Sequence, residues 1–231
     1  NNFGAFTGLQ IQNTGTTAAN LTVTYSANSV AGCATPPAAT FSLNGGTSKT
    51  LIQAGGSAAE GFDPFFATCR YVGGATITSD GAPLVAIVNQ ISGGSASAYE
   101  SFNTASATGT TKVPLAAANN FGLFTGIQVQ NVGTASTDVT VTYGPNTLAA
   151  GDGICGTPTA RTKTVAAGAS YTFIQSGAGA DSDGFDSQFA TCRYVGSATI
   201  TAASGGKVVA IVNQLSGGAG DSLFTYNAFN Q

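Results

Sequence analysis

The chain carries the same text twice, which restricts it to folds that one half can complete and the other half can repeat. Asn1, Asn2, Phe3 and Gly4 return as Asn119, Asn120, Phe121 and Gly122, a register of 119 − 1 = 118 residues. Phe6, Thr7, Gly8, Gln10, Gln12 and Asn13 return as Phe124, Thr125, Gly126, Gln128, Gln130 and Asn131. Further on, Cys33 matches Cys155, Cys69 matches Cys192 and Asn89 matches Asn213, a small drift of the kind that loop insertions produce. Two similar domains in tandem account for this. Each is long enough to bury its own core.

Period two dominates within a repeat. Leu9 and Ile11 alternate with Gln10 and Gln12, and Leu21, Val23 and Tyr25 alternate with Thr22 and Thr24, so one face is apolar and the other wet. Further strand-sized segments are expected near 39–43, 48–53, 70–78, 84–91 and 98–103, bounded by Gly, Pro, Asn or Ser. In the second repeat Ile127, Val129, Val139, Val141 and Tyr143 form the inward set, followed by strands near 171–175, 194–201, 208–215 and 223–229. No segment has a capped helical period. The expected class is all-β, two tandem immunoglobulin-like β-sandwich domains each with one disulfide, with a jelly roll as the second choice.

The expected division is residues 1–104, a small polar linker at 105–111, and residues 112–231. Lys112, Val113, Pro114 and Leu115 open a short extended segment, 112–118, that leads into Asn119 and has no counterpart ahead of Asn1. If that segment completes the second domain's sheet, or lies against the first domain's end, the first domain keeps an edge that can accept a neighbouring chain. Head-to-tail contacts of this sort do not close on themselves and build filaments. The plainer alternatives are a bead in a longer array and an exported module with ordinary ends.

Two cysteines at matching places in each repeat make Cys33 with Cys69, and Cys155 with Cys192, the natural pairs. Each bridge would close a loop of about 37 residues and contribute roughly 3–4 kcal/mol in the chain-entropy model. Zinc is the alternative, but the close cysteine pairs it favours are missing and the chain has no histidine. Disulfides imply an oxidising compartment. The chain starts without methionine or a leader pattern, which suits a processed, exported product or a segment of something longer.

Only 7% of the residues are charged and the net charge is −3, so solubility rests on hydroxyls and amides. Seven scattered basic residues cannot neutralise a row of phosphates, which argues against nucleic acid and against an electrostatic hold on anionic membranes. No apolar run reaches the roughly 20 residues of a membrane span.

Without histidine, a Ser-His-Asp or Cys-His nucleophile is excluded, and the chain is expected not to be an enzyme. The densest charge is Asp181, Asp183 and Asp186 around Gly184, which resembles the front of a calcium loop. The first repeat keeps only Glu60 and Asp63 there, so turn formation is the competing account. Arg70 and Arg193 follow the second cysteine of each repeat and are expected to pair with Glu60 or Asp63, and with Asp183 or Asp186, as structural ion pairs. Asn89 and Asn213 sit in apolar runs and are expected to be buried, hydrogen-bonded amides. Asn20 opens the one Asn-x-Thr sequon and is a candidate glycosylation site.

The stretches NNFGLFTGIQVQN at 119–131, VGSATIT at 195–201 and VAIVNQ at 209–214, with copies in the first repeat, resemble tandem β-sandwich repeats of secreted, surface-associated proteins of Chloroflexus-type filamentous thermophilic bacteria. The resemblance implies an exported module in an extracellular role and carries over no catalytic residue. The resulting expectation is an extracellular structural protein whose partner is itself, a homopolymer forming a surface filament. The competing reading is an adhesin or glycan-binding module.

Overall fold

In the computed structural model the chain divides into two compact units, Asn1–Ser101 and Phe102–Gln231. The residues described are 2, 4–203, 205–216 and 223–231. Both units are antiparallel β-sandwiches, as the alternation predicts.

Unit 1 contains β1 (Phe6–Asn13), β2 (Ala19–Tyr25), β3 (Ala39–Leu43), β4 (Ser48–Ile52), β5 (Ala75–Ser79), β6 (Leu84–Ser92) and β7 (Ser95–Glu100). They form a four-stranded sheet ordered β4-β1-β6-β7 and a three-stranded sheet ordered β3-β2-β5. Unit 2 contains β8 (Thr110–Ala118), β9 (Leu123–Asn131), β10 (Thr137–Tyr143), β11 (Arg161–Val165), β12 (Ser170–Ile174), β13 (Tyr194–Ala202), β14 (Val208–Ser216), β15 (Leu223–Asn227) and β16 (Phe229–Asn230). Its sheets are ordered β12-β9-β14-β15 and β11-β10-β13-β8-β16. Thr110 and Thr111, expected in a linker, are already strand.

The cores follow the period-two reading. Leu9, Ile11, Leu21, Val23 and Tyr25 are buried in unit 1, and Ile127, Val129, Val139, Val141 and Tyr143 in unit 2. Each fully buried Leu, Ile or Val contributes about 1.5–3 kcal/mol, so a handful per sheet face holds two sheets together. An aromatic trio packs in each sandwich, Tyr25, Phe66 and Tyr71 in unit 1 and Tyr143, Phe189 and Tyr194 in unit 2, edge to face in every pair but the tilted Phe189–Tyr194. Both expected disulfides form, Cys33–Cys69 with Cα atoms 5.2 Å apart and Cys155–Cys192 with 5.0 Å. They staple the loop after β2 or β10 to the approach to β5 or β13.

The buried amides are not the expected ones. Asn89 is exposed and Asn213 half-buried, because in β6 and β14 the alternate residues Ala86 and Ala210 take the core-facing side. The fully buried asparagines among the described residues are Asn13 and Asn131, at the ends of β1 and β9. Asn13 donates to the carbonyls of Thr17 and Leu43 and accepts from the Gly15 N–H. Asn131 repeats this with Ala135, Val165 and Gly133. Three backbone groups that would otherwise be buried without partners are satisfied by one side chain.

Candidate assembly edge

One side of unit 2 is closed by β8, which lies along β13 from Tyr194↔Ala118 to Thr201↔Thr110. Side chains of Val113, Ala116 and Ala118 enter the core. Between Ala116 and Val113 the register shifts opposite Gly196 and Ala198, so Pro114 and Leu115 form a bulge facing Ser197 alone. Proline suits that position because it has no N–H to contribute to the ladder.

Three side-chain contacts hold β8 in addition to its backbone ladder. The Thr125 hydroxyl accepts from the Ala117 N–H at 3.1 Å and donates to Gln175 Oε1 at 2.7 Å, and Gln175 Nε2 donates to the Tyr143 hydroxyl at 3.0 Å. Tyr226 donates its hydroxyl to the Leu115 carbonyl at 2.5 Å, across from the opposite sheet. Lys112 Nζ donates to Thr199 Oγ1 at 3.1 Å. Burial holds the Tyr226 hydroxyl up at about 12, with the Leu115 contact pulling the other way.

Unit 1 repeats these groups with no strand against them among the described residues. Thr7 donates to Gln53 Oε1 at 2.8 Å and Gln53 Nε2 donates to the Tyr25 hydroxyl at 3.3 Å, the same relay with nothing on its outer end among the described residues. Tyr99 stands where Tyr226 stands, opposite Val88 as Tyr226 is opposite Val212. Its hydroxyl, pushed up to about 12 by burial, makes no hydrogen bond among the described residues. In the three-stranded sheet β5 is the terminal strand, paired with β2 alone.

The missing neighbour has local consequences. β13 runs for nine residues from Tyr194, whereas β5 runs for five and starts only at Ala75, four residues after the matching Tyr71. The sequence pattern extends strand to both, but a ladder forms only where a partner is in reach. Tyr194, Ile200 and Val208 are fully buried, while their counterparts Tyr71, Ile77 and Leu84 are half-buried.

The corner that ends β8 exists in both units. Asn120 and Leu123 exchange backbone hydrogen bonds, as do Asn2 and Ala5. Arg193 donates through Nε and Nη2 to Asn120 Oδ1 at 2.8 and 2.7 Å and stacks over Phe121 at 4.0 Å. Arg70 Nε donates to Asn2 Oδ1 at 2.7 Å. The arginines therefore tie down the Asn-Asn corner, which corrects the expected role of Arg193 as partner of Asp183 or Asp186.

The acids have other work. Asp63 and Asp186 cap short 3-10 turns, accepting from the backbone N–H of Phe65 and Gln188 at 2.9 and 3.2 Å. Glu60 and Asp183 close the preceding turns, each followed by a left-handed glycine, Gly61 at φ 91° and Gly184 at φ 95°. A Cβ on either glycine would run into the carbonyl of Thr50 or Thr172, so the glycine belongs to the turn. Asp181 is taken by Arg161 and Lys163, the latter at 3.1 Å. The Lys163 contact first, then the Arg161 charge, hold its carboxyl below the ordinary aspartate range. Among the described residues no group of three His, Cys, Asp or Glu side chains that could hold a metal ion comes together.

Asn20 is exposed on β2, its side-chain amide donating to Asp80 at 2.8 Å and its backbone N–H to the same carboxylate at 3.0 Å. Sequence reasoning missed the relay of Thr7, Gln53 and Tyr25 with its copy, and also Asn28 and Asn146. Each of these asparagines donates to the carbonyls of the first cysteine and of the arginine after the second. Their repetition was the available signal. Nothing in a single strand pattern says that a polar residue on one strand reaches a third.

No helix is long and apolar enough to cross a membrane among the described residues. The chain matches no family model, no curated protein and no solved structure.

Proposed function

We propose that this is an exported, non-enzymatic structural subunit that assembles with copies of itself end to end into a surface filament. The observation that carries this reading is that one side of β5 pairs with no strand among the described residues, beside a relay and a tyrosine that in unit 2 hold a strand. An open β edge is a template for another chain. Such a contact is heterologous, since the accepting face on unit 1 differs from the filled face on unit 2, and heterologous contacts propagate.

The two disulfides fit an oxidising, extracellular setting, and a surface held soluble by hydroxyls and amides fits one where charge is sparse. The motif resemblance to surface-associated bacterial repeats points the same way. Glycan at Asn20 belongs to this reading as a surface modification and requires the Asp80 contact to give way.

Negative-stain electron microscopy with light scattering over a concentration series tests the proposal. Fibres that lengthen with concentration are the expected result. A single species at the 22.7 kDa chain mass throughout the series would overturn it.

A further inference from the structure

We infer that Asn44 is a site of spontaneous modification in the folded protein, where loss of ammonia through a five-membered imide converts the asparagine into a mixture of isoaspartate and aspartate. The inference is independent of the assembly reading.

The reaction needs the side-chain amide carbon within reach of the next residue's backbone nitrogen. A bulky following residue, a hydrogen bond on the attacking N–H, or a hydrogen bond on the amide ordinarily prevents it. None of these operates at Asn44. It precedes Gly45, and this is the one Asn-Gly step in the chain. Asn44 is exposed, and among the described residues neither its side-chain amide nor the Gly45 N–H makes a hydrogen bond. By contrast the amides of Asn13, Asn20, Asn28, Asn119, Asn131 and Asn146 all donate to protein acceptors. Each of those six is also followed by a residue with a side chain.

The corner 44–47 carries the chain from β3 in one sheet to β4 in the other. It is closed by the Thr47 N–H on the Asn44 carbonyl at 3.1 Å and by the Gly46 N–H on the Asn13 carbonyl at 2.9 Å. Unit 2 builds the same corner from Ala166, Ala167 and Gly168, with the matching bonds from Ala169 and Gly168 also at 3.1 and 2.9 Å. Gly46 at φ 74° and Gly168 at φ 72° are the glycines the turn requires. At Gly45 a Cβ would lie 2.4 Å from the Thr16 carbonyl carbon, so close approach of a neighbouring loop holds glycine there. No comparable constraint acts on Asn44, since Ala166 serves in its place.

The chemistry balances with water alone. The Gly45 nitrogen gives its proton to solvent and attacks Asn44 Cγ; a C–N bond forms, the bond from Cγ to the amide nitrogen breaks, and ammonia leaves. Water then opens the ring. Opening at Cγ gives aspartate on the original main chain, and opening at the α-carbonyl gives isoaspartate, whose main chain runs through Cβ and Cγ. Either product adds one negative charge to a chain whose net charge is −3. Isoaspartate also takes the Asn44 carbonyl out of the main chain, and both the Thr47 N–H and the Thr47 hydroxyl end on that group. It lengthens a corner that Asn13 grips on both sides, at the Leu43 and Thr47 carbonyls.

Incubation of the full chain at mildly alkaline pH, sampled by ion exchange and peptide mass spectrometry, tests this beside the same chain reduced and denatured in guanidinium. The native chain should acquire one more acidic form, with NH exchanged for O at Asn44 and isoaspartate identified there by fragmentation. Reaction by way of global unfolding would run slower than in the denatured chain by the folded-to-unfolded ratio, on the order of 10³ or more. Reaction within the native corner should run within about tenfold of the denatured chain. Asn44→Ala, which places the unit 2 residue in unit 1, should form no acidic species over the same period. The purified isoaspartate form should melt unit 1 earlier than Asn44→Asp, which has the charge without the longer main chain.

Conversion of another asparagine before Asn44, a native rate below that range, or the same acidic form in Asn44→Ala would overturn the inference. Isoaspartate that leaves unit 1 as stable as Asn44→Asp does would overturn the effect assigned to the corner.

Discussion

The two units share their residues far more closely than their closure. Unit 1 forms sheets of four and three strands and unit 2 sheets of four and five, the extra two being β8 and β16. The cores beneath are nearly the same list. Leu9, Ile11, Leu21 and Val23 answer to Ile127, Val129, Val139 and Val141, yet Tyr71, Ile77 and Leu84 are half-buried where Tyr194, Ile200 and Val208 are sealed. The relay, the aromatic trio and the disulfide are therefore present in unit 1 with no strand beside β5 among the described residues. What the last strand adds is burial of one flank and the lengthening of its neighbour from five residues to nine.

The sharpest way to break this comparison is to make unit 2 resemble unit 1. Val113 is fully buried, and replacing it with aspartate places an unpaired charge in the core. Val113→Asp should cost unit 2 on the order of 3–5 kcal/mol while leaving unit 1 unchanged. Calorimetry should show one transition moving and one standing still. Two transitions moving together would mean that β8 supports both units.

The disulfides come next. Replacing Cys155 and Cys192 with serine should destabilise unit 2 by about 2–5 kcal/mol, and the same change at Cys33 and Cys69 should act similarly on unit 1, since the closed loops differ by one residue, 37 against 36. Because unit 1 starts with less of its flank buried, its cysteine pair is the one whose loss should abolish folding at the lower temperature. Equal melting of the two serine variants would show that strand closure contributes little.

A smaller effect isolates the relay. Thr125→Val removes the hydroxyl that serves the Ala117 backbone and Gln175, leaving buried groups unpaired, at a cost of about 1–3 kcal/mol. Thr7→Val removes the Gln53 contact alone and should cost less. Urea midpoints of the two variants give the difference directly, and a reversed order would place another backbone on Thr7.

Much of this architecture was legible because it obeys local rules. Alternation placed the inward residues of β1, β2, β9 and β10, and paired cysteines at repeated sites gave both bridges. The candidate site was legible in one respect only: Lys112, Val113, Pro114 and Leu115 read as an extended segment leading into the Asn119 corner. The side chains that hold it, and their copies in the first repeat, were not legible. Thr7 and Tyr99 come from different strands, and a sequence does not say which strands meet. The same limit misassigned Asn89 and Arg193. Asn89 sits in an apolar run whose outward face is wet, and Arg193 has acids nearby in sequence while its guanidinium reaches an asparagine 73 residues away.

The smallest predicted effect concerns a surface where the units use opposite chemistry. In unit 2, Arg161 and Lys163 on β11 hold the exposed Asp181, and Lys163 also lies over the Tyr171 ring. In unit 1 the matching residues are Ala39, Phe41 and Ala58, and Lys49, in the place of Tyr171, lies 5.1 Å from the Phe41 ring centre. An ion pair in one repeat is thus replaced by a cation–π contact in the other, both at a solvent-facing sheet edge where either contributes little. The depressed carboxyl of Asp181 stabilises the folded state above the ordinary aspartate range, and that contribution is lost as pH falls through its lowered value. Asp181→Asn should therefore lower the unit 2 transition slightly at pH 7, and the difference from the parent should close as the medium is acidified below that range and shrink in high salt. The unit 1 transition, with no acid at this place, should show no difference between the two proteins at any pH. A gap that persists in acid would assign the role of Asp181 to its place in the 3-10 turn rather than to its charge.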